Sequence, residues 1–318
     1  MRYLIDNRWN GKHGLGRVTH LLQSHLGNTN HVLRGASLSI RALLFDHLEL
    51  RKACDVFISA GPNIPLFFAS RSFVFLHDVI ILTERGQSSW IKQLYLRIYF
   101  PIVSSRVRGV FTVSQYSKEE IIRVLKISPS RIHVIYNGIK SSKSKKWRGG
   151  SNLLFVGNCR SHKNVYRLLK MLKHLPSWVH LDMVTSLTTD VREFIDKQHL
   201  SERVHIYSDL TESDMRNLYE RSQCLVYPSV VEGFGLPMLE AFSVGLPVIA
   251  SNIPVFREIG GTAFISFNQC SSLDMAKVVM TYLDDKELQE EYSNRGFQRH
   301  FKFSESQQVK EILNKVHK

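Results

Sequence analysis

Short apolar runs recur along the whole chain with amphipathic segments between them, and this alternation limits the fold more than any other feature. A run of about four to eight apolar residues bounded by turn residues suits a strand buried on both faces. The intervening segments are long enough for crossover helices, so the pattern predicts parallel sheets flanked by helices. In the first half the expected strands are Tyr3–Ile5, Asp55–Ala60, Phe73–Leu76, Gly109–Val113 and His133–Tyr136. A polar, basic, glycine-ended stretch, Lys140 to Gly150, interrupts the pattern and predicts a linker over 141–150. The pattern then restarts with Asn152–Val156, His180–Val184, Val204–Tyr207, Gln223–Tyr227, Pro247–Ser251 and Ala263–Phe267. The expected class is α/β, with two Rossmann-like domains at 1–140 and 151–303 facing across a cleft. A length of 318 residues is ample for two cores.

Composition narrows the function classes. Hydrophobic residues at 43% and charged residues at 22% describe a soluble globular chain. No stretch approaches the roughly 18 apolar residues of a membrane span, and the opening residues do not read as a secretory signal. Four cysteines, with no CxxC pair, suggest neither zinc nor a disulfide framework. A cytoplasmic location is expected, with peripheral contact at the inner face of the membrane. The net charge of +14 calls for an anionic partner: nucleic acid, an anionic membrane or a phosphate-bearing substrate. No helix-turn-helix, zinc-finger or RNP-type motif accompanies the charge, so a nucleic-acid binder is the weaker alternative and no nucleic-acid partner is expected.

Both halves open with a strand running into a glycine-bearing loop and a helix. The first has Gly11-Lys-His-Gly14-Leu-Gly16-Arg17, the second Gly157-Asn-Cys-Arg160-Ser-His-Lys163-Asn164. Glycine at such a turn lets the backbone approach a ligand, and the helix N-terminus favours an anion, although glycine also serves simply to close a turn. Neither loop spells G-x-G-x-x-G, and no acid stands at the distance that would bind a ribose. A nicotinamide dinucleotide enzyme is disfavoured.

The most informative segment runs from Cys224 to Asn252. A buried strand ends at Tyr227-Pro228, and a loop carries Glu232-Gly233-Phe234-Gly235-Leu236. A helix is expected from about Pro237 to Gly245, since proline suits the first helical turn and glycine the position past the last. Backbone N–H groups from Gly233 to Leu236 are therefore the expected donors to a diphosphate or to sugar hydroxyls. Glu240, one turn in, can accept two hydroxyls side by side, which matches the 2′,3′-diol of a ribose. A single acid here would be adequately explained by the helix dipole; two acids framing Gly-Phe-Gly-Leu-Pro are not.

Glu232 and Glu240, with Pro228-Ser229, Leu239-Glu240-Ala241, Gly245, Pro247 to Asn252 and Glu258, resemble the E-x7-E region of glycosyltransferase family 4, bacterial polysaccharide mannosyltransferases in particular. The resemblance covers the second domain well and the first at separated points: His77-Asp78, Thr112-Val-Ser114-Gln-Tyr-Ser117, Asn137-Gly138-Ile139 and the Gly14/Gly16 loop. It implies a GT-B fold and a metal-independent, retaining transferase using a nucleoside-diphosphate sugar, with no cofactor. GDP-mannose is the favoured donor and a saccharide or lipid-linked saccharide the acceptor. By the same resemblance Glu240 binds the donor ribose, while Glu232 and the Gly233–Leu236 backbone hold the sugar and phosphates. Lys163 would neutralise the diphosphate, with Arg160 as its basic neighbour, and His77 would approach the reacting carbon. Lys140 stands where the family usually has Asp. A sugar-nucleotide epimerase or sugar phosphorylase on the same scaffold is the alternative.

Two further segments have expected roles. Ser89 to Phe100 mixes aromatic and basic residues at helical spacing, which suits a helix packed on the sheet and also one lying on anionic lipid. The segment from about 304 to 318 predicts a capped amphipathic helix, which the resemblance implies returns to the first domain.

Overall fold

The computed structural model describes residues 2–9, 14–26, 46–84 and 90–317. Gly11 of the first glycine loop and Ser89 of the basic segment lie outside them. The chain divides into two units, one formed by Met1–Gly138 with Glu305–Lys318, the other by Ile139–Ser304.

The first unit carries β1 (Tyr3–Ile5), β2 (Val56–Ser59), β3 (Ser72–Phe75), β4 (Gly109–Thr112) and β5 (Ile132–Val134) in the order β1-β2-β3-β4-β5, every described pairing parallel. Alternate residues serve opposite faces, as a strand's twofold period requires. Leu4, Phe57, Val74 and Val110 belong to one buried cluster, and Ile5, Ile58, Phe75 and Phe111 to another. The second cluster takes in Ile312 and Val316 of the helix Glu305–Val316, so the chain's last helix is part of the first unit's core. Gln308 anchors its start: its amide oxygen accepts from the Gly138 N–H at 2.8 Å. Ser114 and Ser117 form a helix cap, the Ser114 hydroxyl accepting from the Ser117 N–H at 2.9 Å.

The second unit carries β6 (Leu153–Val156), β7 (Leu181–Val184), β8 (Val204–Tyr207), β9 (Cys224–Tyr227), β10 (Val248–Ser251) and β11 (Ile265–Phe267). Their order is β11-β10-β9-β6-β7-β8, again parallel. Chain order reverses between β6 and β9. Two neighbouring strands whose following loops diverge to opposite sides leave a crevice at their carboxyl ends, where open α/β sheets bind ligands. The loops after Val156 and after Tyr227 are thereby brought to one place.

The expected linker over 141–150 is not a free spacer. The N–H groups of Lys146 and Trp147 both donate to the Val244 carbonyl, at 3.0 and 2.9 Å. Trp147 is buried, and its indole N–H donates to the Ser222 carbonyl at 2.8 Å. One aromatic side chain with a satisfied polar edge is enough to dock an otherwise basic run. The boundaries fall instead at Gly138/Ile139 and Ser304/Glu305. At the second, the Ile139 N–H donates to the Phe303 carbonyl at 2.9 Å, so the two crossings lie side by side.

Candidate active site

Lys163 and Glu232 meet at the switch point of the second unit. Lys163 ends a short turn, Ser161–Lys163, after β6 and precedes the helix Val165–Lys173; Glu232 lies on the loop after β9. The Lys163 ammonium donates to a Glu232 carboxylate oxygen at 2.5 Å, with both side chains nearly buried at 12% and 10% exposed. The Ser229 hydroxyl donates to that same oxygen at 2.7 Å. Tyr227, fully buried at the end of β9, lies beneath the pair: its phenol bonds to Glu232, and its ring centre is 5.4 Å from the Lys163 ammonium. Burial, reinforced by the Glu232 charge, pushes the Tyr227 phenol well above its ordinary value and keeps it a donor.

Backbone geometry sets both loops. Asn164 adopts left-handed φ of 59°, and its side-chain amide bridges the Pro228 and Gln269 carbonyls at 3.1 and 2.9 Å. The Val230 N–H donates to the His162 carbonyl at 2.8 Å, tying the two loops directly. Gly235 precedes the helix Leu236–Val244 at φ +104°, where a Cβ would also come within 3.0 Å of the Phe256 ring. Only glycine suits that position, and it turns the Gly233–Leu236 segment into the helix N-terminus. Gly233, Phe234 and Gly235 are buried, and Leu236 is half-buried.

Glu240, half-buried on that helix, accepts from the Tyr219 hydroxyl at 2.7 Å. Tyr219 comes from the helix Glu212–Arg221, which opens with a Thr211/Asp214 capping box. Arg160 is exposed at the entry to the Ser161–Lys163 turn, its N–H held by the Asn158 side chain at 3.2 Å. His162 is buried, and its Nδ1 has no hydrogen-bond partner among the described residues. Burial pushes its imidazole below the ordinary value; the Glu232 charge opposes this, and Lys163 and Arg160 add to it.

The remaining expected residues belong to the first unit. His77 follows β3, half-buried, with its carbonyl accepting from the Thr112 hydroxyl at 3.2 Å and its ring 5.9 Å from Phe75. Gly14 and Gly16 open the helix Gly14–Leu26. Sequence reasoning missed Tyr219, Tyr227, Ser229 and His162 as members of the second unit's cluster. Tyr227 and Ser229 flank the strand end and could have been found there. Tyr219 bonds to a residue 21 positions away and carries no local signal. No group of three or more metal-ligating side chains occurs among the described residues.

Chemically, the cluster is a cation paired with a carboxylate, beside backbone donors at a helix start. An arriving diphosphate can take the ammonium and those N–H groups, leaving the carboxylate's acceptor sites for hydroxyls.

The family model for glycosyl transferases group 1 matches residues 139–299, half of the chain. The chain belongs to that family. The model for glycosyltransferase family 4 matches residues 13–143, so the glycosyltransferase signature runs through both units. The chain is 31% identical over 175 residues to the O-antigen chain mannosyltransferase RfbU of Salmonella typhimurium, covering 54% of this chain and half of that one. It is 25% identical over 273 residues to O-antigen chain mannosyltransferase B of Escherichia coli, covering 78% and 71%. Its fold resembles the crystal structure of Anabaena Alr3699/HepE in complex with UDP and glucose, at TM-score 0.78 and 17% identity over 100% and 99% of the two chains. The fold class of this glycosyltransferase is accordingly GT-B, two Rossmann-like α/β units.

Proposed function

We propose that the chain transfers a hexose, with retention, from a nucleoside-diphosphate sugar to a saccharide or lipid-linked saccharide acceptor in surface polysaccharide synthesis. The observation that carries this reading is the nearly buried Lys163–Glu232 pair at the switch point, beside the helix Leu236–Val244 that bears Glu240 one turn in. Lys163 exchanges Glu232 for the donor diphosphate and neutralises the charge that grows on it as the C1–oxygen bond breaks. The Gly233–Leu236 N–H groups hold the phosphates, Glu232 takes hydroxyls of the hexose, and Glu240, oriented by Tyr219, takes the ribose diol. The acceptor oxygen bonds to C1 on the face the diphosphate leaves, and its proton passes to the departing phosphate. His77, in the first unit, is kept in this reading as a candidate catalytic residue. No metal enters this scheme.

GDP-mannose is the favoured donor; the names of the two O-antigen mannosyltransferase relatives support mannose as the sugar moved. A UDP-sugar is the second reading, because the structural neighbour holds UDP and glucose. The test is transfer in magnesium-free buffer from GDP-mannose and from UDP-glucose to a mannose-terminated oligosaccharide, with the new linkage read by NMR. The expected product is α-linked mannose from GDP-mannose. Transfer from UDP-glucose alone would replace the donor, inversion would remove the mechanism, and release of sugar phosphate from free phosphate would make the protein a phosphorylase. Peripheral contact with an anionic membrane belongs to the same reading, since a lipid-linked acceptor is presented there.

A further inference from the structure

The helical run from Trp90 to Ser104 carries two apolar faces. It consists of the helix Trp90–Leu94, a π-helical turn Tyr95–Tyr99 and the helix Phe100–Ser104. Leu96, Phe100 and Val103 are buried in the first unit's core, and Tyr95 and Tyr99 bind the Pro62 and Ile64 carbonyls at 2.8 and 2.9 Å. These contacts fully account for an inward face. Yet Trp90, Ile91, Leu94, Ile98 and Ile102 are all exposed, from 47% for Ile102 to 72% for Trp90. At about 100° per residue these five fall within an arc of roughly 120°, opposite the inward set.

Five large apolar side chains along one outward stripe are more than the scattered surface residues of a soluble protein. Along the run itself the charge in the sequence is of one sign. No Asp or Glu lies between Glu84 and Glu119, whereas Lys92, Arg97, Arg106, Arg108 and Lys118 do. Arg97 and Arg106 are exposed on the run and just past it. Arg97 also lines a hollow of about 400 Å³ with Leu82, Thr83, Arg123 and Val124, where Arg123 is paired with Glu120. An apolar stripe with an exposed tryptophan at one end and cations along its margins matches the boundary between acyl chains and anionic headgroups.

We infer that this face, Trp90, Ile91, Leu94, Ile98 and Ile102 with Arg97 and Arg106, is the surface that lies on an anionic phospholipid bilayer. The inference rests on the proposed membrane contact and gives it a location. The stripe enters the headgroup layer while Tyr95, Phe100 and Val103 keep the helix fixed to the sheet, so the first unit docks as a rigid body. A protein surface of the same kind, such as a second copy, would lack the requirement for negative charge.

The test is co-sedimentation of the whole chain with phosphatidylcholine vesicles, with and without phosphatidylglycerol, for wild type, Trp90→Ser/Ile98→Ser and Arg97→Gln/Arg106→Gln. The wild type should bind the anionic vesicles, bind pure phosphatidylcholine roughly tenfold less, and lose binding as salt is raised. Both double variants should bind roughly tenfold less than wild type. Trp90→Ser/Ile98→Ser should melt at the wild-type temperature because both side chains are exposed, and Arg97→Gln/Arg106→Gln slightly below it because Arg97 donates to the Leu82 carbonyl at 3.2 Å. Equal binding to both vesicles, undiminished binding of the variants, or wild-type self-association that the Trp90→Ser/Ile98→Ser variant abolishes would each overturn the inference. A parallel melt with GDP or UDP keeps the two readings apart. A diphosphate response without vesicle binding leaves the donor site and removes the docking face, and the converse result does the opposite.

Discussion

The two units carry positive charge in different ways. In the second unit the Lys163 cation is almost withdrawn from water and held 2.5 Å from Glu232. Along Trp90–Ser104 of the first unit, the cations lie exposed in a stretch of sequence that contains no acid. A desolvated cation acts strongly on one group at short range and is poorly screened by salt. Exposed cations act weakly, collectively and only at low or moderate ionic strength. The net charge of +14 therefore combines a site with a surface, and an electrostatic reading of the whole chain would confuse them.

The comparison breaks most visibly at Lys163. Lys163→Ala should lower turnover by about 10²–10³-fold in a transfer assay, because it removes the nearly buried cation assigned to the leaving group. The same variant should leave vesicle binding unchanged. Glu240→Ala should act mainly on donor affinity, weakening diphosphate binding by roughly ten- to a hundredfold in calorimetry, the scale of charge-assisted hydrogen bonds at about 1.5–3 kcal/mol.

Acid sharpens the distinction between buried and exposed groups. Burial pushes His133, His162 and His300 below the ordinary histidine value of 6.5. The unfolded chain then binds protons that the folded chain refuses, so the stabilising contribution is whole above the ordinary value and is lost as pH falls towards the lowered values. Melting temperature should drop steadily from about pH 7 to about pH 5. His162→Gln should flatten part of that slope. The smallest effect belongs to Tyr219→Phe, which removes one hydrogen bond to Glu240 at 2.7 Å. A loss of about 1 kcal/mol corresponds to roughly fivefold weaker diphosphate binding with turnover kept, which a KM-against-kcat comparison would show.

Much of the fold was legible because strands buried on both faces announce themselves as short apolar runs. Every strand from β1 to β11 overlaps its expected segment, with ends differing by a few residues where hydrogen bonding stops before hydrophobicity does. The docking of the Lys140–Gly150 run is not legible because Trp147 stands alone among basic residues, and its partners Ser222 and Val244 are visible only in three dimensions. At the site, Glu232 and Glu240 were legible from glycine, proline and helix spacing. The Lys163–Glu232 contact spans 69 residues, and only the reversal of strand order between β6 and β9 brings the pair together. On Trp90–Ser104, a helical period accounted for one apolar face, and nothing in the sequence separated the inward set from the outward one.

The most direct test of the central claim is a thermal melt of wild type and Glu240→Ala in magnesium-free buffer with GDP, UDP or dTDP. At a concentration about a hundred times its dissociation constant, the matching diphosphate should add roughly 2.7 kcal/mol of apparent stability to the wild type, and much less to the variant. If no diphosphate raises the melting temperature, or if Glu240→Ala responds as the wild type does, the nucleotide does not sit on the helix Leu236–Val244 and the account of this site is wrong.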